Sequence, residues 1–216
     1  MKTQEPFVIT LSREVGSGGH TVGRILAEKL NVRYCDKMLL ECLQKQFGLT
    51  ASEIERLKGE KKNWLADFIK RVAPVPPADA LGQKAEHPQE FSIKLTTDRI
   101  FEAEAEILRE FARMGSCVIA GRSGFFIFKD CPNTLNVFIT ASKPQRIKRI
   151  MQKQGLSEES AAALIEGIDQ ARENYTRRFA GVSRFDARNY DLVLKADGHS
   201  EEQLADIILS YFEGSF

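Results

Sequence analysis

Phe7-Val8-Ile9-Thr10-Leu11-Ser12-Arg13-Glu14-Val15-Gly16-Ser17-Gly18-Gly19-His20-Thr21 is the stretch that decides the fold. Phe7–Leu11 is apolar and β-branched, with Pro6 before it and a glycine cluster after it, and so reads as a buried strand. Beyond Thr21, Val22, Ile25, Leu26 and Leu30 recur on one face at helical spacing. A strand, a glycine turn and a helix in that order let successive backbone N–H groups converge on one anion. The helix dipole adds about half a positive charge at the same end. Phosphate is the usual guest, which makes Gly16, Ser17, Gly18, Gly19, His20 and Thr21 the candidate phosphate-binding residues. The plainer alternative is a glycine turn with no ligand, and His20 reads equally well as a solvent-facing turn residue.

Outward from this stretch, strands and helices alternate. Val32–Cys35, Cys117–Ala120, Leu135–Ile139 and Tyr190–Leu194 read as four further strands. Helices are expected over Met38–Phe47, opened by Asp36, and from Thr50 to Val72 behind the capping box Thr50-x-x-Glu53. Others are expected over Asp98–Met114, from the Ser142-Lys143-Pro144 start to Gly155, from Ser157 to Phe179, and from Ser200-x-x-Gln203 to Phe212. Pro74, Pro76, Pro77 and Pro88 mark Ala73–Gln89 as a loop, expected to be mobile. Strands separated by helices imply parallel pairing with right-handed crossovers, hence an α/β domain with a five-stranded parallel sheet. In such sheets a site lies beyond the carboxyl ends of the strands, here after Leu11, Cys35, Ala120 and Ile139.

Composition sets outer limits. The 216 residues suffice for one domain with a substantial core. Thirty-one basic residues against 30 acidic ones leave a net charge of +1, so any anion site must be local. Neither polymeric nucleic acid nor a membrane is expected as a partner. With no membrane-length apolar run and no signal-peptide pattern, the chain reads as cytoplasmic. Cys35, Cys42, Cys117 and Cys131 show no CxxC spacing and read as reduced core thiols.

Two phosphate motifs compete for the loop. The dinucleotide fingerprint G-x-G-x-x-G fails because Thr21 stands where its third glycine is needed. The P-loop pattern G-x-x-x-x-G-K-[ST] can be laid with its second glycine on Gly18. Its first glycine then falls on Arg13, its lysine on Gly19, and Thr21 follows one residue late, after His20.

The combined pattern resembles the cytidylate kinase-like family, relatives of bacterial cytidylate kinase among the P-loop nucleoside monophosphate kinases. Carrying the resemblance are Ile9–Gly19, Leu26-Ala27-Glu28-Lys29-Leu30 and Tyr34-Cys35-Asp36. So do Val118-Ile119-Ala120-Gly121-Arg122, Phe138–Ser142 with Arg146 and Arg149, and Asp186–Leu194. The match covers most of the chain except about 50–95. It implies a three-layer P-loop nucleoside-kinase-like fold in one domain, residues 1–216, with a helical substrate-binding flank at 37–98 and a helical lid at 143–184. Orthodox cytidylate kinases carry the loop lysine and a Gly-Arg-Asp third-strand motif. Here Gly19 and Ser123 stand in those places.

The implied reaction is transfer of the γ-phosphoryl group of ATP, with Mg²⁺, to a nucleoside monophosphate, CMP first. Such catalysis is positioning and charge stabilisation, so permanent cations are the informative residues. Between Lys143 and Arg184 nine basic residues face five acidic ones. Arg13 is the first choice for the cation replacing the lysine, with Arg172 and Arg149 as the other catalytic candidates. Asp36, Arg122, Arg146 and Arg177 are candidate substrate ligands, and Thr21 would meet Mg²⁺. Each arginine could instead belong to a solvated, ion-paired helix face. Two other readings stay open: a non-catalytic nucleotide- or phosphate-binding protein with a degenerate loop, and a kinase for another small molecule.

Overall fold

The computed structural model describes residues 5–35, 41–43, 48, 50 and 97–214. Asp36, the Thr50–Val72 helix and the proline-rich Ala73–Gln89 segment lie outside these residues, as does the Met38–Phe47 helix apart from a helical turn at 41–43. The strands are β1 (Val8–Arg13), β2 (Arg33–Cys35), β3 (Cys117–Ala120), β4 (Thr134–Thr140) and β5 (Leu192–Lys195). The helices are α1 (Gly19–Lys29), α2 (Thr97–Arg113), α3 (Gly124–Ile127), α4 (Lys143–Gln154), α5 (Glu158–Ala180) and α6 (Glu201–Gly214).

The five strands form one sheet in the order β2-β3-β1-β4-β5, every described pair parallel. From β1 the chain winds one way to β2. After β3 it crosses back over β1 to β4 and β5. This reversal opens a crevice at the carboxyl ends of the central strands.

Both faces of the sheet are covered. Ile9, Leu11, Val137 and Ile139 pack against Val22 and Leu26 of α1 and Leu204, Ile208 and Phe212 of α6. On the opposite face Val8, Cys117 and Ile119 meet Ile100, Leu108 and Phe111 of α2, with Ile127 and Phe128 beside them. Burying each of these aliphatic side chains contributes about 1.5–3 kcal/mol. A third apolar cluster joins Ile150 of α4 to Ala161, Leu164 and Ile165 of α5, with Val15 of the glycine loop packed against it.

The helix signals act largely as their chemistry requires. Ser157 Oγ accepts the Ser160 N–H at 3.2 Å, and Ser200 and Gln203 bond reciprocally at 3.1 and 2.8 Å. Gly155 and Gly181 end α4 and α5 in left-handed geometry, at φ 66° and 69°. Ser142 differs. It precedes α4 without a side-chain cap, and its N–H donates instead to Asp197 at 2.9 Å.

Strand β1 runs to Arg13 rather than Leu11, because Ser12 and Arg13 go on pairing with Phe138 and Ile139. Backbone pairing is indifferent to side-chain polarity, so the polar residues did not end it. Strand β5 starts at Leu192. Tyr190 precedes it, with its ring stacked on Phe138 at 5.1 Å and its hydroxyl donating to the Arg184 carbonyl at 2.7 Å. Helix α3 and the 3₁₀ turn Ala187–Asn189 are too short to leave a periodicity in the sequence. The cysteines are free. Cys35 and Cys117 are buried as expected, whereas Cys42 is partly exposed and Cys131 exposed.

Candidate active site

Strand β1 delivers the glycine loop to the carboxyl edge of the sheet. The Glu14 N–H donates to the Ile139 carbonyl at 3.1 Å, and the Glu14 carbonyl accepts from the Ser17 N–H at 3.3 Å and Ser17 Oγ at 2.9 Å. Gly16 and Gly18 adopt φ of +82° and +88°, which glycine takes without strain. Both also make room for α4. A Cβ on Gly16 would stand 2.8 Å from the Arg146 carbonyl oxygen, and one on Gly18 would stand 3.0 Å from Arg149 Nη1. Gly18 opens α1 with no side-chain cap. The first N–H groups of any helix lack acceptors within it, so they face outward toward an anion. The Thr21 and Val22 N–H groups turn back to the Gly18 carbonyl at 2.9 and 3.2 Å. His20 is exposed, its ring edge-on to Tyr34 at 5.6 Å.

Arg13 fills the place beside Gly19. A Cβ on Gly19 would lie 2.6 Å from Arg13 Cβ, and a Cβ on Gly121 would collide with Arg13 Nη1. The side chain therefore crosses from the start of α1 to the turn after β3. In that turn Gly121, Arg122 and Ser123 all take positive φ, at 74°, 57° and 52°. Left-handed non-glycine residues of this kind cost about 1 kcal/mol or more each and persist only where their surroundings over-determine them. The surroundings here do so. Arg122 Nη1 meets Glu104 Oε1 at 3.1 Å, Glu104 is fully buried on α2, and the Tyr175 hydroxyl of α5 donates to Glu104 Oε2 at 2.6 Å.

A second group of charges ties α4 and α5 to the loop. Asp169 of α5, 7% exposed, accepts the Val15 N–H at 3.1 Å and Arg146 Nη1 at 2.6 Å. Arg172 and Arg184 place Nη1 atoms 3.9 and 4.0 Å from its other oxygen. Glu14 accepts from Thr140 Oγ1 and from the Ala141 N–H at 3.2 Å, and Arg146 lies 3.4 Å away. Arg184 is 5% exposed and donates through Nη2 to the Arg13 carbonyl at 2.6 Å, while its Nη1 has no hydrogen-bond partner among the described residues. Burial lowers the Arg184 pKa, and it does the same to Arg149, which is ion-paired with Glu201 of α6. Burial pushes the Glu173 carboxyl up, but bonds from Arg177, Ser183 and the Arg184 N–H outweigh it and hold the group below its ordinary value.

Arg13, Arg146, Arg149 and Arg172 thus gather around the glycine loop, and Arg122 stands at the neighbouring turn that Arg13 reaches. Arg177 is apart from them, exposed on α5 and, among the described residues, joined to the cluster through Glu173. Arg13 is the last residue of β1 rather than the first of the loop. Sequence reasoning passed over Asp169, Arg184, Glu14, Glu104 and Tyr175 as site residues. Glu104 had a readable signal, a carboxylate on the apolar stripe Ile100, Leu108, Phe111 at helical spacing. Arg184 lies in an aperiodic loop and had none.

Comparison with known proteins adds four findings. The profile of the cytidylate kinase-like family matches residues 8–197. A cytidylate kinase of Sulfurisphaera tokodaii is 26% identical over 208 residues, covering 95% of this chain and 94% of that protein. An uncharacterized protein from Eubacterium ventriosum superposes with a TM-score of 0.69 at 23% identity over 96% of this chain and 99% of that one. Shikimate kinase from Bacteroides thetaiotaomicron gives 0.52 at 18% identity, over 96% and 98%, and shares the fold.

Proposed function

This chain belongs to the cytidylate kinase-like family, and from that premise we propose that it transfers the γ-phosphoryl group of ATP to a nucleoside monophosphate, with CMP as the first candidate. One observation carries the reading. Guanidinium groups converge on a glycine loop whose lysine position is a glycine, with Arg149 against Gly18 and Arg13 against Gly19. The similarity to a cytidylate kinase over nearly the whole chain supports it.

In this reading Gly16–Thr21 form the donor-phosphate loop and cradle the phosphates through the backbone N–H groups that its own turns leave unused, those of Ser17 and Thr21 being bonded to the Glu14 and Gly18 carbonyls. Arg13 supplies the charge that a lysine gives elsewhere. Arg149 and Arg172 answer the negative charge that develops on the transferring group. Arg122, held by Glu104, receives the acceptor phosphate, with Asp36 as a further acceptor-side ligand; Arg177 would join them on release from Glu173, and Arg146, bonded to Asp169 and the Val15 carbonyl, would act on the acceptor side by fixing the loop. The chemistry of the loop suits a magnesium-bound triphosphate: it offers helix-start N–H groups, buried cations and the Thr21 hydroxyl at the first turn of α1. Mg²⁺, when bound, neutralises charge between the donor's phosphates, and Thr21 would hold it. Residues 143–184 serve as the lid, 37–98 as the acceptor-binding flank, and the need for ATP places the work in the cytoplasm. Among the described residues no helix is long and apolar enough to cross a membrane.

The test is a panel of nucleoside monophosphates incubated with the purified protein, ATP and Mg²⁺, with nucleoside diphosphates read by chromatography. Conversion of CMP above the other acceptors is the expected result. ATP binding without transfer to any monophosphate would overturn it in favour of a non-catalytic nucleotide-binding protein.

A further inference from the structure

Asp169 is placed as a phosphate would be. A loop N–H, from Val15, and three guanidinium groups, from Arg146, Arg172 and Arg184, point at one buried carboxylate. The two closest donors hold it firmly. Arg146 lies at 2.6 Å and also donates to the Val15 carbonyl at 3.3 Å, so Asp169, Arg146 and the loop form one closed unit. The other two are different. Arg172 and Arg184 stand 3.9 and 4.0 Å from Oδ1, near enough for attraction and beyond hydrogen-bond reach. Two buried guanidinium nitrogens of this group, Arg146 Nε and Arg184 Nη1, have no hydrogen-bond partner among the described residues. A buried charged donor left unsatisfied is destabilising, so its retention needs a reason.

We propose that Asp169 is a positioning residue that acts as the resident anion of the loop: it holds the arginine cluster in register without ligand, and it shares Arg172 and Arg184 with a phosphoryl group of the bound nucleotide. This inference rests on the phosphate-binding reading of the loop. Its physical content is competition. One carboxylate charge offsets part of the attraction that the arginines would exert on an incoming phosphate. In exchange it keeps those arginines from repelling one another and splaying into solvent.

Inorganic pyrophosphate is the probe, with affinity measured by calorimetry on the full chain. Asp169→Asn keeps an acceptor for the Val15 N–H and removes the charge. Its pyrophosphate affinity is expected to rise about tenfold, with a steeper dependence on salt, while its melting temperature falls. A residue that merely braced α5 would lower the melting temperature and leave affinity unchanged or weaker, and that result overturns the proposal. If the variant does not fold, Arg172→Gln gives the second arm, since Arg172 is partly exposed. Its pyrophosphate affinity is expected to fall about tenfold with little change in melting temperature. Unchanged affinity there also overturns it. A wild-type protein that binds neither pyrophosphate nor ATP would instead remove the phosphate-binding reading itself, and the role of Asp169 with it.

Discussion

Arg13 and Gly19 cannot both carry bulk in the direction of the loop. Any side chain at position 19 begins 2.6 Å from Arg13 Cβ, closer than carbon atoms approach. Restoring the P-loop lysine by Gly19→Lys is therefore expected to lower the melting temperature and any phosphotransfer rate together. The double variant Arg13→Gly with Gly19→Lys should recover stability relative to Gly19→Lys alone, as a thermal melt of both proteins would show. Arg13→Ala alone should lower turnover by roughly 10³-fold, the scale on which transition-state arginines act. Loss of stability with turnover within about threefold, well under one tenfold step of 1.36 kcal/mol, would show that Arg13 only braces the turn at Gly121.

At the scale of elements, α4 and α5 pack onto one another and onto the loop through Leu164, Ile165 and Val15 rather than onto the sheet. Leu164 is fully buried, so Leu164→Ala is expected to cost about 2–5 kcal/mol, read from the urea midpoint. Much of this architecture was legible beforehand. The β-branched run before Gly16 announced β1, and Ser157 and Gly155 marked helix ends through local chemistry that needs no tertiary information. The extension of β1 to Arg13 was not legible, because it depends on pairing with β4, a non-local partner. Nor could the sequence show that Asp169 faces Val15 and Arg146 rather than only its i,i+3 neighbour Arg172. Both choices satisfy helical spacing, and only the packing of α5 on the loop separates them. The arginines were found as a charge excess, but which of them reach the loop is decided by helix orientation. Arg149 reaches it, while Arg177 stays at the surface.

For the whole molecule, acid sensitivity follows from carboxylates that folding holds ionised. Burial alone would raise Glu173 above its ordinary 4.5, but the bonds from Arg177, Ser183 and the Arg184 N–H set it below. Bonds from the Arg188 side chain and N–H hold Asp186 at about 2 against an ordinary 3.8. A group whose folded value is depressed contributes stability above its unfolded value and loses it as pH falls toward the folded one. The urea midpoint is expected to hold steady down to about pH 5 and to decline below it, the sense in which paired carboxylates act. Glu173→Gln should flatten the upper part of that decline. A variant that declines as steeply as wild type would assign acid sensitivity to other groups.

The apolar cluster between α4 and α5 has a kinetic meaning as well. Helices α4 and α5 share a small interior of their own with Val15, and α5 is tied to the α2 side of the sheet mainly at its far end, where Phe179 stacks on Phe101. A unit with its own small core can open while the remainder stays closed. Amide hydrogens in the middle of α5 should therefore exchange with solvent deuterium faster than those of β1 and β4, through sub-global opening. Such opening would pull Asp169 and Leu164 away from the loop in one event. Bound triphosphate should slow exchange along α5 more than in the strands, so that occupancy of the loop is written in the lifetime of a helix whose middle lies more than 140 residues away in sequence.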